Sequence, residues 1–214
     1  MDLEALREYT RRYWTEAKDT HVADPAYYRL AEAELRGIIA RHLVRGGNVL
    51  DIGCGNGEYT ALLAEQAGRL LAFDISDNLL AAARKRCEAF DNVSFFQANL
   101  ATTRVAFTGQ VDAVFCMGVF ACLPDEAQLT RLLDDFADYL GDGGLLVLRD
   151  STVRGAQQYV QYPSGHLGYY RNKAALLETL RQKGFELAEE IPLKAEVEPY
   201  NDYFVLHKRA DRLG

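Results

Sequence analysis

Four cysteines occur in the chain, and none form a C-x-x-C pair. Cys54, Cys87, Cys116 and Cys122 are scattered, which argues against a disulfide framework or a zinc site and favours a reduced cytoplasm. No metal is expected. No apolar run approaches the length needed to cross a bilayer. No basic segment leading into an apolar stretch opens the chain, so no signal peptide is expected. Positive charge is also in deficit: 24 Lys and Arg face 31 Asp and Glu, a formal net charge of -7. That balance argues against a general binder of phosphate backbones, though not against a local patch. No repeat, low-complexity tract or linker divides the chain. Its 214 residues are therefore expected to make one domain with a sizeable core.

What is present is alternation. Five short apolar runs read as strands: "NVLDI" (48–52), "RLLAFDI" (69–75), "NVSFFQA" (92–98), "VDAVFCM" (111–117) and "GLLVLRD" (144–150). Near-continuous apolar runs suit parallel strands covered on both faces. Helical patterns lie between several of them. The clearest places Leu129, Leu132, Leu133, Phe136, Ala137 and Leu140 on one face, with Gly141 as a stop. Strand–helix alternation implies a doubly wound α/β fold. "FELAEEIPL" and "NDYFVLHKR" read as two late strands closing the sheet, one of them antiparallel. Residues before the first strand read as helical and rich in Tyr and charge.

The loop "NVLDIGCGNGEYT" (48–60) sets Gly53, Gly55 and Gly57 between a strand and a helix that starts near Glu58. Such a loop is expected to turn backbone N–H groups and a helix N-terminus toward a ligand at the carboxyl edge of the sheet. A dinucleotide fingerprint would need glycine at position 58, where this chain has Glu58. Asp51 and Glu58 would repel a pyrophosphate and suit a positively charged ligand without phosphate. Asp74, at the end of the second strand, can accept hydrogen bonds from both ribose hydroxyls. A nucleoside with cationic groups and no phosphate describes S-adenosylmethionine.

Here the sequence resembles the class I S-adenosylmethionine-dependent methyltransferases, and among them those that act on small molecules. "VLDIGCGNGEYT" resembles their glycine-rich motif. "FDIS" resembles the second motif, with Asp74 at the ribose position and Ile75 against the adenine. "VSFFQANL" resembles the third. Its Asn99, between Ala98 and Leu100, stands where an Asp commonly meets the adenine amine. "VDAVFCMGVFACLPD" resembles the fourth, whose backbone near Cys116 and Met117 lies beside the methionine part of the cofactor. Many relatives carry His just after it, whereas this chain has Ala121 and Cys122. "GGLLVLRD" and "YYRNKAALLETLRQKGFE" resemble later elements, and the match runs over about residues 45 to 208. The resemblance implies a Rossmann-like, seven-stranded, mostly parallel sheet with one antiparallel strand near the C-terminus. It implies a single methyltransferase domain over 1–214, with 1–45 as a helical lid or cap and 46–214 as the core. Asp51, Gly53, Cys54, Gly55 and Asn56 complete the cofactor set, and transfer goes to N or O of a small molecule.

Each residue also has a plainer reading. The glycines can simply make a turn, Asp74 can cap a helix, and Asn99 can be a loop residue. Cys54 and Cys116 read as buried fillers, with no nucleophilic role. The Tyr residues can be half-buried packing. Their density nevertheless marks two segments for acceptor binding, 9–28 and 152–171. The candidates there are Tyr9, Tyr13, His21, Tyr28, His166, Tyr169 and Tyr170, with His166 and Tyr170 also candidates for catalysis. If these rings converge, the pocket would favour a cation. "ADPAYYRL" reads as a helix start with Asp24 as N-cap and Pro25 first, leaving Tyr9 to His21 as the part expected to move.

Three other readings remain open. The same fold can use the cofactor for cyclisation or aminocarboxypropyl transfer. A NAD-dependent oxidoreductase is disfavoured by Glu58. A non-catalytic binding protein would keep the fold as a scaffold.

Overall fold

Two apolar runs, residues 48–52 and 111–117, lie side by side at the centre of the sheet. The computed structural model describes residues 2–20, 25–107, 110–194 and 198–210. Helices α1 (Leu3–Glu16) and α2 (Pro25–His42) come first. Then follow β1 (Asn48–Ile52), α3 (Glu58–Ala64), β2 (Arg69–Asp74), α4 (Asp77–Arg86), β3 (Val93–Gln97) and β4 (Val111–Met117). A 3₁₀ turn (Phe120–Cys122) leads into α5 (Glu126–Tyr139) and β5 (Leu140–Val153). The chain continues through β6 (Gln158–Gln161), β7 (Leu167–Asn172), α6 (Lys173–Gln182), β8 (Phe185–Lys194) and β9 (Tyr200–Lys208).

Strands β3, β2, β1, β4 and β5 pair in that order, all parallel. Strand β9 runs antiparallel along β5 and β8 runs antiparallel along β9, as the late runs implied. Among the described residues, nine strands form the sheet rather than seven. The two extra are β6 and β7, an antiparallel hairpin joined to the end of β5 through Thr152 and Val153. The Tyr-rich segment 152–171, marked for acceptor binding, is thus largely strand. Strand β5 also starts earlier than its apolar run. Leu140 pairs with Val111 and Leu145 with Ala113, so "GDGG" loops out between them. Gly143, at φ 74°, supplies the turn.

Both faces are covered. Leu132 and Phe136 of α5 and Leu180 of α6 pack on Val114 and Leu148. On the other face, Leu35 and Ile38 of α2 and Leu63 of α3 pack on Val147, Tyr203 and Val205. Each such side chain contributes about 1.5–3 kcal/mol on full burial. Helix α2 buries Ala31, Leu35, Ile38 and Ile39, one helical stripe, and is part of the core. Helix α1 differs, with Thr10 its one buried residue. Tyr9 and Tyr13 lie on α1, so that part of the segment expected to be loose is helical. His21 and Asp24 lie outside the described residues.

Candidate active site

In the glycine loop, the N–H groups of Gly53, Cys54, Gly55 and Gly57 are already spent. Gly53 and Cys54 both donate to the Phe73 carbonyl, at 2.8 and 2.9 Å, and Gly57 donates to Cys54. Gly55 donates to Asp74 Oδ2 at 2.9 Å. This corrects the expectation that these groups point at a ligand: the parallel register of β1 and β2 sets them against the end of β2 instead. The loop therefore offers shape, and no cradle of free donors for a phosphate. Gly53 and Gly55 have φ of 72° and 55°, and a Cβ at Gly53 would stand 2.3 Å from Val119 Cγ2. Bare backbone is required there.

Asp74 holds its Oδ1 against the Ser76 N–H at 2.9 Å. Burial raises its pKa, and the Ser76 and Gly55 N–H groups oppose that rise. Each carboxylate oxygen keeps a lone pair for a further donor, which is what a ribose diol requires. The residues present fit a nucleoside without phosphates.

A cavity of about 1340 Å³ opens above this edge. Single small-molecule sites run to roughly 300–1,000 Å³, so two ligands fit side by side. Gly53, Cys54, Gly55, Asn56, Asp74, Ile75, Ala98, Asn99, Leu100 and Met117 line it. Asn99 also caps its own turn, accepting the Ala101 N–H at 3.1 Å. Asp51 does not line it. The strand turns Asp51 into the layer below, where Thr60 Oγ1 donates to it at 2.7 Å. Burial pushes the Asp51 carboxyl up to about 7, partly opposed by that hydrogen bond. Cys116 is likewise buried on the far face of β4, one residue before Met117. Burial pushes the thiols of Cys54 and Cys116 up, so neither is a nucleophile.

Of the acceptor candidates, Tyr28, His166 and Tyr170 line the cavity, whereas Tyr9, Tyr13 and Tyr169 do not. Alternation along β7 explains the split between Tyr169 and Tyr170. Tyr170 meets the Tyr162 hydroxyl at 2.5 Å, while Tyr169 stacks on Tyr159 at 4.6 Å between ring centroids. Tyr9 donates to the Gly165 carbonyl at 2.6 Å. Tyr13 packs edge-on against Trp14 and lies 5.8 Å from the His166 ring. Burial lowers the His166 pKa, so the ring is neutral near pH 7. Burial and the Tyr162 hydroxyl push the Tyr170 phenol up.

Sequence reasoning missed Arg149 and Asp150. Both are buried at the end of β5 and line the cavity. Arg149 donates to Tyr59 at 2.6 Å and lies over the rings of Tyr59 and Tyr27, 5.0 and 5.8 Å from their centroids. The protein's own guanidinium therefore occupies the faces of these two rings. Asp150 Oδ1 accepts the Ala121 N–H at 3.0 Å. Its Oδ2 is buried with no hydrogen-bond partner among the described residues. A charged pair ending an apolar run, "LRD", was the available signal.

Fold and site together give a Rossmann-like sheet with one large cavity at its carboxyl edge. Residues 49–144 match the family described as "Methyltransferase domain". Over that stretch, somewhat under half of the chain, the protein is similar to this family. It is 26% identical over 132 residues to a ubiquinone biosynthesis O-methyltransferase of Methylococcus capsulatus, covering 60% of this chain and 53% of that one. It is 33% identical over 132 residues to a trans-aconitate 2-methyltransferase of Azoarcus sp., covering 59% and 49%. The chain spans about half the length of these curated relatives. Its fold matches the N-methyltransferase NodS of Bradyrhizobium japonicum, crystallised with S-adenosyl-L-homocysteine. The TM-score is 0.73 at 17% identity, over 95% of this chain and 98% of that one. Among the described residues, no helix is long and apolar enough to cross a membrane.

Proposed function

We propose that the protein binds S-adenosylmethionine and transfers its methyl group to an N or O atom of a small molecule. The observation that carries this reading is one continuous cavity running from Gly53 and Asp74 to Asp150 and Tyr170. When bound, the cofactor supplies an electrophilic methyl group with a neutral leaving group. Asp74 would accept the ribose hydroxyls, Ile75 and Asn99 would border the adenine, and Met117 would border the methionine end. Asp51 would act from beneath, setting α3 through Thr60. The chain's main task is then to align the acceptor and exclude water. His166, neutral and buried, can hold a proton-bearing acceptor atom. Tyr170, kept as a phenol, can donate a hydrogen bond but is a poor base.

Exclusion of water falls to α1, which we read as the lid. Trp14 and Thr10 line the cavity roof. Ala17 accepts the Ser76 hydroxyl at 2.9 Å, and Arg7 pairs with Asp125 at 2.6 Å. Helix α1 thus spans from the cofactor end to the acceptor end while burying one residue. Few buried contacts suit an element that opens. The 1–45 cap and 46–214 core of a single domain are part of this reading. So is a cytoplasmic setting, which the four free cysteines support. The acidic net charge supports small-molecule partners over nucleic acid.

Calorimetry tests the reading. S-adenosylmethionine and S-adenosylhomocysteine should bind in the micromolar range, and NAD should not bind. Binding of NAD alone would overturn it.

A further inference from the structure

The acceptor end of the cavity contains a buried carboxylate oxygen that no hydrogen-bond donor among the described residues uses. Asp150 is 1% exposed, its Oδ1 is fixed by Ala121, and its Oδ2 has no hydrogen-bond partner among the described residues. A buried acceptor left unsatisfied destabilises the fold, so such atoms call for a ligand. Aromatic rings stand around this end. Tyr162 stacks on His166 at 5.5 Å, and Trp14 meets His166 edge-on at 5.3 Å. Trp14, Tyr162, His166 and Tyr170 all line the cavity.

Charge decides what kind of molecule fits. Arg149, next along β5, offsets Asp150. Arg171 also acts on Asp150 but is itself paired with Glu126 at 2.9 Å. The charge of Asp150 is thus offset within the protein. A flat, neutral molecule with one proton to give matches both the rings and the free oxygen.

Resting on the methyl-transfer reading, we propose that Asp150 Oδ2 is the proton acceptor for a neutral, ring-borne hydroxyl. In the step, the acceptor O–H bond breaks, its proton passes to Oδ2 and its electron pair stays on oxygen. That oxygen forms the new O–CH₃ bond. The S–CH₃ bond breaks with its pair going to sulfur, which leaves as a neutral thioether. Asp150 later returns the proton to solvent.

The groups acting on Asp150 are the Ala121 and Ser151 N–H groups, Arg149 of β5, Arg171 and Tyr170 of β7, Cys116 of β4, Cys122 of the 3₁₀ turn and Tyr27 of α2. Burial raises the thiols and phenols among them, so Asp150 is the member that titrates near neutrality. Burial pushes it up to about 7, opposed by Arg171.

Phenol, with anisole as the comparator lacking the proton, is the probe. Both are titrated into the full chain saturated with S-adenosylhomocysteine. Phenol should bind roughly tenfold more tightly than anisole at about pH 8.5, and that preference should vanish near pH 6. In D150N the Ala121 N–H holds the amide oxygen, which places NH₂ where Oδ2 was. The variant should bind S-adenosylhomocysteine within about twofold of wild type and lose the preference for phenol. The pH series on unaltered protein stands even if D150N fails to fold. Equal binding of phenol and anisole at both pH values overturns the proposal. Failure to bind S-adenosylhomocysteine overturns instead the methyl-transfer reading on which it rests.

Discussion

The Tyr9 hydroxyl donates to the Gly165 carbonyl at 2.6 Å, joining residues 156 positions apart. It ties α1 to the turn of the β6–β7 hairpin, directly beside His166. Tyr9→Phe removes a bond worth about 0.5–1.5 kcal/mol net and nothing from the cavity wall. Amide exchange in α1 should quicken, and methyl transfer should fall several-fold while cofactor affinity holds. Deleting residues 1–20 goes further. The protein should stay folded, bind cofactor several-fold more weakly and transfer no methyl group. A truncated protein with wild-type turnover would remove α1 from the mechanism.

Asp74→Ala deletes a charged acceptor that the Gly55 and Ser76 N–H groups position. It should cost on the order of 2 kcal/mol of cofactor binding, roughly 30-fold. Circular dichroism would check the fold, and calorimetry the affinity. Wild-type affinity in a folded variant contradicts the ribose assignment.

Gly55→Val should abolish cofactor binding more fully than Asn56→Ala. Gly55 has φ of 55°, and a Cβ there would lie 2.6 Å from Thr20 Cγ2, in the segment leaving α1. A branched residue would strain the turn and displace that segment together. Normal binding by Gly55→Val would place the site elsewhere.

Asp51 gives a pH dependence of stability. Its pKa is raised from 3.8 to about 7 by burial, against the Thr60 hydrogen bond. Its contribution is fully present below the unfolded value and is lost as pH rises through about 7. Asp51→Asn keeps an oxygen for Thr60 and cannot ionise. The variant should gain stability of order a few kcal/mol relative to wild type near pH 8 and little near pH 4. Denaturant melts at the two pH values measure this directly.

The sheet's centre was legible because β1 and β4 are buried on both faces, so their apolar runs begin and end with the strands. The hairpin was not. "QYVQ" and "LGYYRN" carry no apolar period of their own, and they become strands through pairing with each other and with β5. The same holds for the site. Asp74 and the glycines sit in one local motif. Arg149 and Asp150 acquire meaning from Tyr59 and Ala121, 90 and 29 positions away. Asp51 shows the opposite error, where a motif residue read as facing the ligand serves the layer beneath.

Mass spectrometry with methyl-labelled S-adenosylmethionine and a metabolite extract tests the central claim most directly. The account predicts S-adenosylhomocysteine together with one extract component heavier by the labelled methyl group. Methylthioadenosine in place of S-adenosylhomocysteine, or bound cofactor with no labelled product, would contradict it.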